Sequence, residues 1–120
     1  MRSTFKRTIP AQVSRTDTLN ANLNRQLAIE AGKRGLCLAF TYDGLPRVVE
    51  VHTVGVTTAG RPAMRAYQVD GQSNTPPIPD WRMFCFDECF NVALTDRKST
   101  APRPNYKERD KGFKIIDWEV

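Results

Sequence analysis

Apolar side chains change their spacing once along this chain, near residue 35. Before that point they return every three to four residues, and after it every two. In LNANLNRQLAIEAG, Leu19, Leu23 and Leu27 recur at intervals of four, and Ala28 and Ala31 widen the stripe. Asn22, Asn24, Arg25 and Gln26 fall mostly off it. The spacing predicts an amphipathic helix over about residues 18–32, with capping oxygens in Thr16-Asp17-Thr18 and a stop at Gly32 and Gly35. In LCLAFTY, Leu36, Leu38, Phe40 and Tyr42 alternate with smaller side chains, which predicts a strand with one buried face. Asp43-Gly44-Leu45-Pro46 supplies a turn and RVVEVHTV a β-branched return strand. Ala59-Gly60-Arg61-Pro62 turns again into a third strand, AMRAYQV.

Three prolines within Ser73–Pro79 remove donors and fix φ, so this stretch is a loop. DWRMFCFDECFNV, Asp80 to Val92, follows as a fourth strand, with Phe84 and Phe86 on one face and Met83 and Cys85 on the other. A kink leads to a short fifth strand, Asn91 to Leu94. RKSTAPRPNYKERDKG is a polar, proline-bearing excursion, and FKIIDWEV closes the chain as a strand with Ile116, Trp118 and Val120 on one face. One helix and then five or six short strands predict a mainly β chain with an N-terminal helix (α+β), arranged as a small barrel or rolled sheet. Residues 1–15 are expected to be a basic, flexible arm. Residues 16–120 form one domain, with a C-terminal extension from about 95 to 120.

Composition narrows the class. Of 120 residues, 40% are hydrophobic and 26% charged, as in a globular chain with a core of its own. No apolar run approaches the roughly 20 residues of a membrane span. MRSTFKRTIP is basic but lacks the apolar stretch of a secretory signal. Three cysteines, an odd number, suit a reducing interior, so a soluble cytoplasmic protein is expected. The net charge of +5 is uneven. Residues 1–40 hold seven basic and two acidic side chains, 41–80 three and four, and 81–120 eight and seven. Positive charge of this kind attracts phosphate backbones.

Catalytic and metal chemistry find little footing. Cys85, Cys89, Cys37 and His52 are the available zinc donors, but they do not form the close pairs of a structural site. On an extended strand the Cys85 and Cys89 thiols stand about 13 Å apart, too far for one ion. No cysteine has an activating elbow, the single histidine would be the only conventional base, and Asp87 and Glu88 point to opposite faces of a strand. No phosphate-cradling G-x-x-x-x-G-K-[ST] occurs. The expectation is no catalytic residue, no metal and no cofactor.

Read together, LAIEAGKRGLCLAFTYDGLPRVVEVHTVG, MRAYQV and DWRMFCFDECFNVAL resemble the WYL-domain family in the order and character of their motifs. The resemblance spans roughly Leu27 to Leu94. Leu27, Ala28 and Ile29 match the helix, and Phe40 and Tyr42 the first strand. Arg47 matches the return strand, Gly55 the turn, and Arg82, Phe84 and Asp87 the last strand. Ala63-Met64-Arg65 stands where the eponymous triplet belongs, Val51-His52 replaces a Pro-Tyr pair, and Glu88 replaces the family's second arginine. The resemblance implies an Sm-like, SH3-type β-barrel. It also implies a regulatory, ligand-sensing role linked to transcription or phage defence, with an anionic small ligand or nucleic acid as partner.

Recognition of phosphate or a single strand needs cations beside flat rings. Tyr42, Arg47, Arg65, Tyr67 and Arg82 offer that combination, with His52 expected at the rim. Glu50, Asp70 and Asp87 are the acids that could neutralise the arginines. Arg2, Lys6, Arg7 and Arg15 form the basic arm, either solvated or touching a phosphate backbone. The other reading is a protein-interaction or self-assembly module, since exposed sheet edges pair with a second subunit or a peptide.

Overall fold

The computed structural model describes residues 15–120, with side chains from Leu19 onward; Arg2, Lys6 and Arg7 of the expected arm lie outside the described residues, whereas Arg15 belongs to the helix, as do Thr16–Thr18, expected to cap it. One helix, α1 (Arg15–Arg34), precedes six strands: β1 (Leu36–Tyr42), β2 (Leu45–Thr57), β3 (Pro62–Gly71), β4 (Asp80–Cys85), β5 (Phe90–Lys98) and β6 (Phe113–Glu119). Every pairing is antiparallel, and the strand order is β4-β3-β2-β1-β5 with β6 added to β2. The chain is therefore mainly β with one helix. The expected closed barrel is not formed by the pairing: β4 and β5 stand at opposite ends of an open sheet.

β2, thirteen residues long, organises everything else. Its first half pairs with β1, from Tyr42↔Leu45 to Leu38↔Val49. Its second half pairs with β6, from Thr53↔Glu119 to Thr57↔Phe113. β3 lines its other side from Arg47↔Gly71 to Val56↔Pro62, with register shifts at Val48/Val49 and Val51/Thr53. Such irregularities bend a strand and increase its twist. Gly55, matched to a turn by the family resemblance, instead lies within β2, where a Cβ would collide with the Ile115 carbonyl of β6. Asp43 and Gly44 carry φ of 54° and 74°, the two left-handed positions of a two-residue hairpin, so the turn is shorter than Asp43–Pro46.

The helix turns a different face to the sheet from the one its leucines suggest. Leu19 and Leu23 are each 56% exposed, whereas Ala21, Asn24, Ala28 and Ala31 are buried. Small side chains let the helix lie close, and the Trp118 ring packs where a Cβ on Gly32 would sit. Gly32 is thus inside the helix, and Gly35, at φ 66°, ends it. Asn24 lies on the buried face because its amide donates to the carbonyls of Phe86 and Cys89, both at 3.0 Å. Those bonds hold a 3₁₀ turn, Phe86–Glu88, that breaks the expected continuous fourth strand in two. β5 consequently starts at Phe90 and runs to Lys98, well past Leu94.

Leu38, Phe40, Val49, Val51, Val54, Met64, Phe84 and Phe86 fill the space under α1. The other face of the sheet is also covered, because β2 is buried at every position from Val49 to Gly55. Residues 99–112, between β5 and β6, cross that second face as a strap. One buried face was expected from alternation; two exist, and the polar excursion supplies the second cover. Among the described residues no helix is long and apolar enough to cross a membrane.

Candidate functional site: an arginine cleft beside a strapped polar layer

Glu50, His52 and Thr53 project from β2 toward the strap, on the face opposite the aliphatic core. Glu50 is only 2% exposed and receives four hydrogen bonds: Thr100 N–H (2.8 Å), Thr100 O–H (3.1 Å), Arg103 Nε (2.6 Å) and Arg103 Nη2 (3.2 Å). Burial alone pushes this carboxyl up, but the donors from Arg103 and Thr100 outweigh it and hold it below its ordinary value. His52 is fully buried rather than at a rim. Its Nδ1 faces the Glu50 carbonyl at 3.0 Å, an acceptor, and its Nε2 faces the Arg103 N–H at 3.0 Å, a donor. The two partners fix a neutral ring with the proton on Nδ1. Tyr106 completes the layer, with its hydroxyl 3.0 Å from Thr53 Oγ1 and donating to Glu119 Oε2 at 3.1 Å.

Protonating His52 places a second N–H against the Arg103 N–H, so acid works directly against the strap. Burial pushes the His52 pKa below the ordinary histidine value of 6.5, opposed by the Glu50 carbonyl and carboxylate and assisted by the Arg103 charge. The unfolded chain therefore takes up the proton first. Stability from this group is complete above about pH 6.5 and drains away as pH falls below it. Glu50 adds a second loss of the same sign below about pH 4.5. Melting temperature should be flat from pH 8 to 7 and decline from 6.5 downward, and His52→Gln should flatten that decline. A wild-type profile level between pH 7 and 5 excludes this role for His52.

The sequence candidates divide between two places. Tyr42, Arg47, Arg65 and Arg82 line one cleft of about 380 Å³, together with Asp43, Trp81, Met83, Phe84 and residues 73–75 of the proline-rich loop. Tyr67 and His52 do not join them; they lie under the strap, where Tyr67 meets Trp81 edge-on and the Arg103 guanidinium at 4.7 Å. Arg47 is itself buried, with its guanidinium 5.7 Å from the Tyr42 ring and 5.6 Å from the Phe84 ring. It donates to the Tyr42 carbonyl (3.1 Å) and to Gln68 Oε1 (3.3 Å), and Asp43 stands 4.0 Å away. Arg82 donates to Oγ1 and O of Thr75 (2.9 and 2.6 Å) and to the Pro77 carbonyl (2.7 Å). All of its acceptors are neutral, so its charge is not cancelled there. Arg65 differs, since Asp110 of the strap accepts from its Nε at 2.8 Å.

Burial lowers the Arg47 pKa, Asp43 opposes that, and the neighbouring charge of Arg82 adds to it. The Nε–H groups of Arg47 and Arg82 are both buried without an acceptor. Buried donors left unpaired are uncommon and costly. Those two Nε–H groups are closed off from the cleft, so it is the shared charge of two mutually repelling guanidinium groups that an anion in the cleft would relieve.

The acids named from sequence do pair with arginines, but with others: Glu50 with Arg103, Asp70 with Arg97, and Asp87 with Arg61, which Glu88 also meets. The cysteines stay apart from this chemistry. Burial pushes the Cys89 thiol up to about 12 and raises Cys85, so neither thiolate forms readily. Among the described residues no three His, Cys, Asp or Glu side chains gather around a possible ion. Trp81, Arg103, Tyr106 and Asp110 were not candidates from sequence. The available signal was Glu50 and His52 alternating with valines in RVVEVHTV, a polar face that needs a polar cover. Compared with known protein families, curated proteins and solved structures, the chain matches none.

Proposed function

We propose that this protein is a non-catalytic regulatory or sensor module that binds an anionic ligand, a nucleotide or single-stranded nucleic acid, in the arginine cleft. The observation that carries the reading is the convergence of Arg47 and Arg82 beside Tyr42: Arg47 has Asp43 at 4.0 Å as an ion-pair partner, whereas Arg82 meets only neutral acceptors. Charge-assisted hydrogen bonds to phosphate suit such a pair, and the Tyr42 and Trp81 rings supply flat surfaces for a base. The same reading takes the fold as Sm-like and SH3-type and the chain as a divergent, stand-alone WYL-type domain. Its support is the strand order β4-β3-β2-β1-β5 behind a leading helix, with a 3₁₀ turn between β4 and β5. A setting in transcription control or phage defence rests on that resemblance alone.

Arg82→Ala is the direct test. Loss of a charged hydrogen-bond donor is expected to weaken nucleotide or oligonucleotide binding about 10-fold or more at low salt, with Arg82→Lys intermediate. Titration calorimetry at two salt concentrations reads this. A wild type that binds neither class of ligand at low salt, or an Arg82→Ala protein that binds as well as wild type, overturns the reading. A protein-interaction module is the second reading. It is favoured by Phe90, 61% exposed on β5, and Ile115, 51% exposed on β6. Light scattering separates the two, because a clean monomer removes the self-assembly form of that reading.

A further inference from the structure

The arginine cleft has a larger neighbour. A cavity of about 650 Å³ lies between the strap and the β3–β4 face, and Arg65 and Trp81 line both. Across from them the strap contributes Tyr106, Lys107, Arg109 and Lys111. The last three are exposed and occupy alternate positions in the chain. Among the described residues none of them lies within ion-pair distance of a carboxylate. Glu108 and Asp110 also line this cavity, and Asp110 is already engaged by Arg65. Each cavity falls within the range of small-molecule sites, roughly 300–1,000 Å³. A mononucleotide fills one of them; only a chain of nucleotides fills both.

We propose that the two cavities form one track for single-stranded nucleic acid, entering at the arginine cleft, passing Trp81, and leaving along Lys107, Arg109 and Lys111. This rests on the function proposed above and narrows it from any anionic ligand to an oligonucleotide. The pattern is a row of cations for the phosphates with aromatic rings between them for bases. Arg65 sits at the junction. Its partner Asp110 belongs to the strap, so a phosphate at the junction competes with a carboxylate that helps to hold the strap down.

Fluorescence anisotropy and calorimetry at low salt, with dTMP, oligo(dT) of two, four and eight nucleotides, oligo(rU) of eight, an eight-base-pair duplex and inorganic polyphosphate, test the track. Affinity should rise at least about 10-fold from the mononucleotide to the tetranucleotide, as a second stacked base and further phosphates engage. Duplex and polyphosphate should bind more weakly than the single strand of equal charge. Lys107→Gln/Arg109→Gln/Lys111→Gln, which alters only exposed side chains, should lose most of the length dependence and flatten the salt slope by about two, while still binding dTMP. Trp81→Phe keeps a ring in place and should fall between the two, with melting curves checking that each variant is folded. DNA and RNA arms decide which strand is preferred, and either preference supports the track. Equal affinity for dTMP and the tetranucleotide, polyphosphate binding as tightly as oligo(dT), or an unaffected triple variant overturns the track but spares the cleft. Failure of every ligand with wild type overturns both.

Discussion

Replacing Glu50 with alanine should lower the melting temperature by about 10 °C and expose the strap to protease. The carboxylate is buried and gathers four donors from Thr100 and Arg103, so its removal leaves those groups without an acceptor beneath the strap. Breaking a buried ion pair on one side costs about 3–5 kcal/mol. Arg103 is one-third exposed, so solvent recovers part of this and about 2–4 kcal/mol is the expected loss. In a chain of this size that corresponds to roughly 10 °C. Lys107, Arg109 and Lys111 are tryptic sites within the strap, whereas Arg103 precedes a proline and resists cleavage, so digestion should concentrate between residues 107 and 112 in the variant. Arg103→Ala should cost less singly and add little to Glu50→Ala, because the two share one interaction. An unchanged tryptic pattern with a melting shift of a degree or two means the strap is held by something else.

Phe84→Ala is expected to be the most damaging substitution in the stretch DWRMFCFDECFNV. Phe84 is 2% exposed and meets Phe40 and Tyr42 edge-to-face at 4.9 and 5.0 Å between ring centroids. Deleting such a ring from a packed core costs about 3–5 kcal/mol. It also removes the surface beneath Arg47, so on the proposed function any protein that remains folded should bind a nucleotide or oligonucleotide less well. Cys85→Ser, by contrast, should shift stability by less than about 1 kcal/mol, because the half-buried thiol has no ionic role to lose. Denaturant titrations of both variants give the comparison. If Cys85→Ser proves as destabilising as Phe84→Ala, the stretch is more than a core strand.

Sequence reading recovered the order of elements, because period and turn chemistry are local properties. The hairpin at Asp43-Gly44, the proline loop and the burial of Phe84 and Phe86 all follow from neighbours in the chain. The buried face of the helix is set by something outside the helix. Leucine spacing describes which side is apolar, but the sheet accepts the side that lets backbones approach, and Trp118, far along the chain, makes Gly32 part of that side. Asn24 is polar and falls off the leucine stripe, yet it is buried, because its partners are carbonyls more than sixty residues away. The site shows the same limit. Tyr42, Arg47, Arg65 and Arg82 could be chosen by residue type, and they do share a cleft. His52 and Tyr67 were equally plausible by type, but a strap with no regular period covers them. Glu50, Asp70 and Asp87, the acids that could have neutralised the candidate arginines, instead pair with Arg103, Arg97 and Arg61, which lie 26 to 53 residues away in the chain.

The double life of β2 has a kinetic consequence. Its first half is joined by a tight hairpin that can form early, whereas its second half waits for β6, whose residues lie about sixty positions further on. Closing so long an intervening segment sacrifices chain entropy before any contact rewards it. The β1–β2–β3–β4 meander can thus assemble from neighbours alone. The strap settles only when the distal strand arrives, so the polar layer that it seals is the last part of the molecule to exclude water during folding.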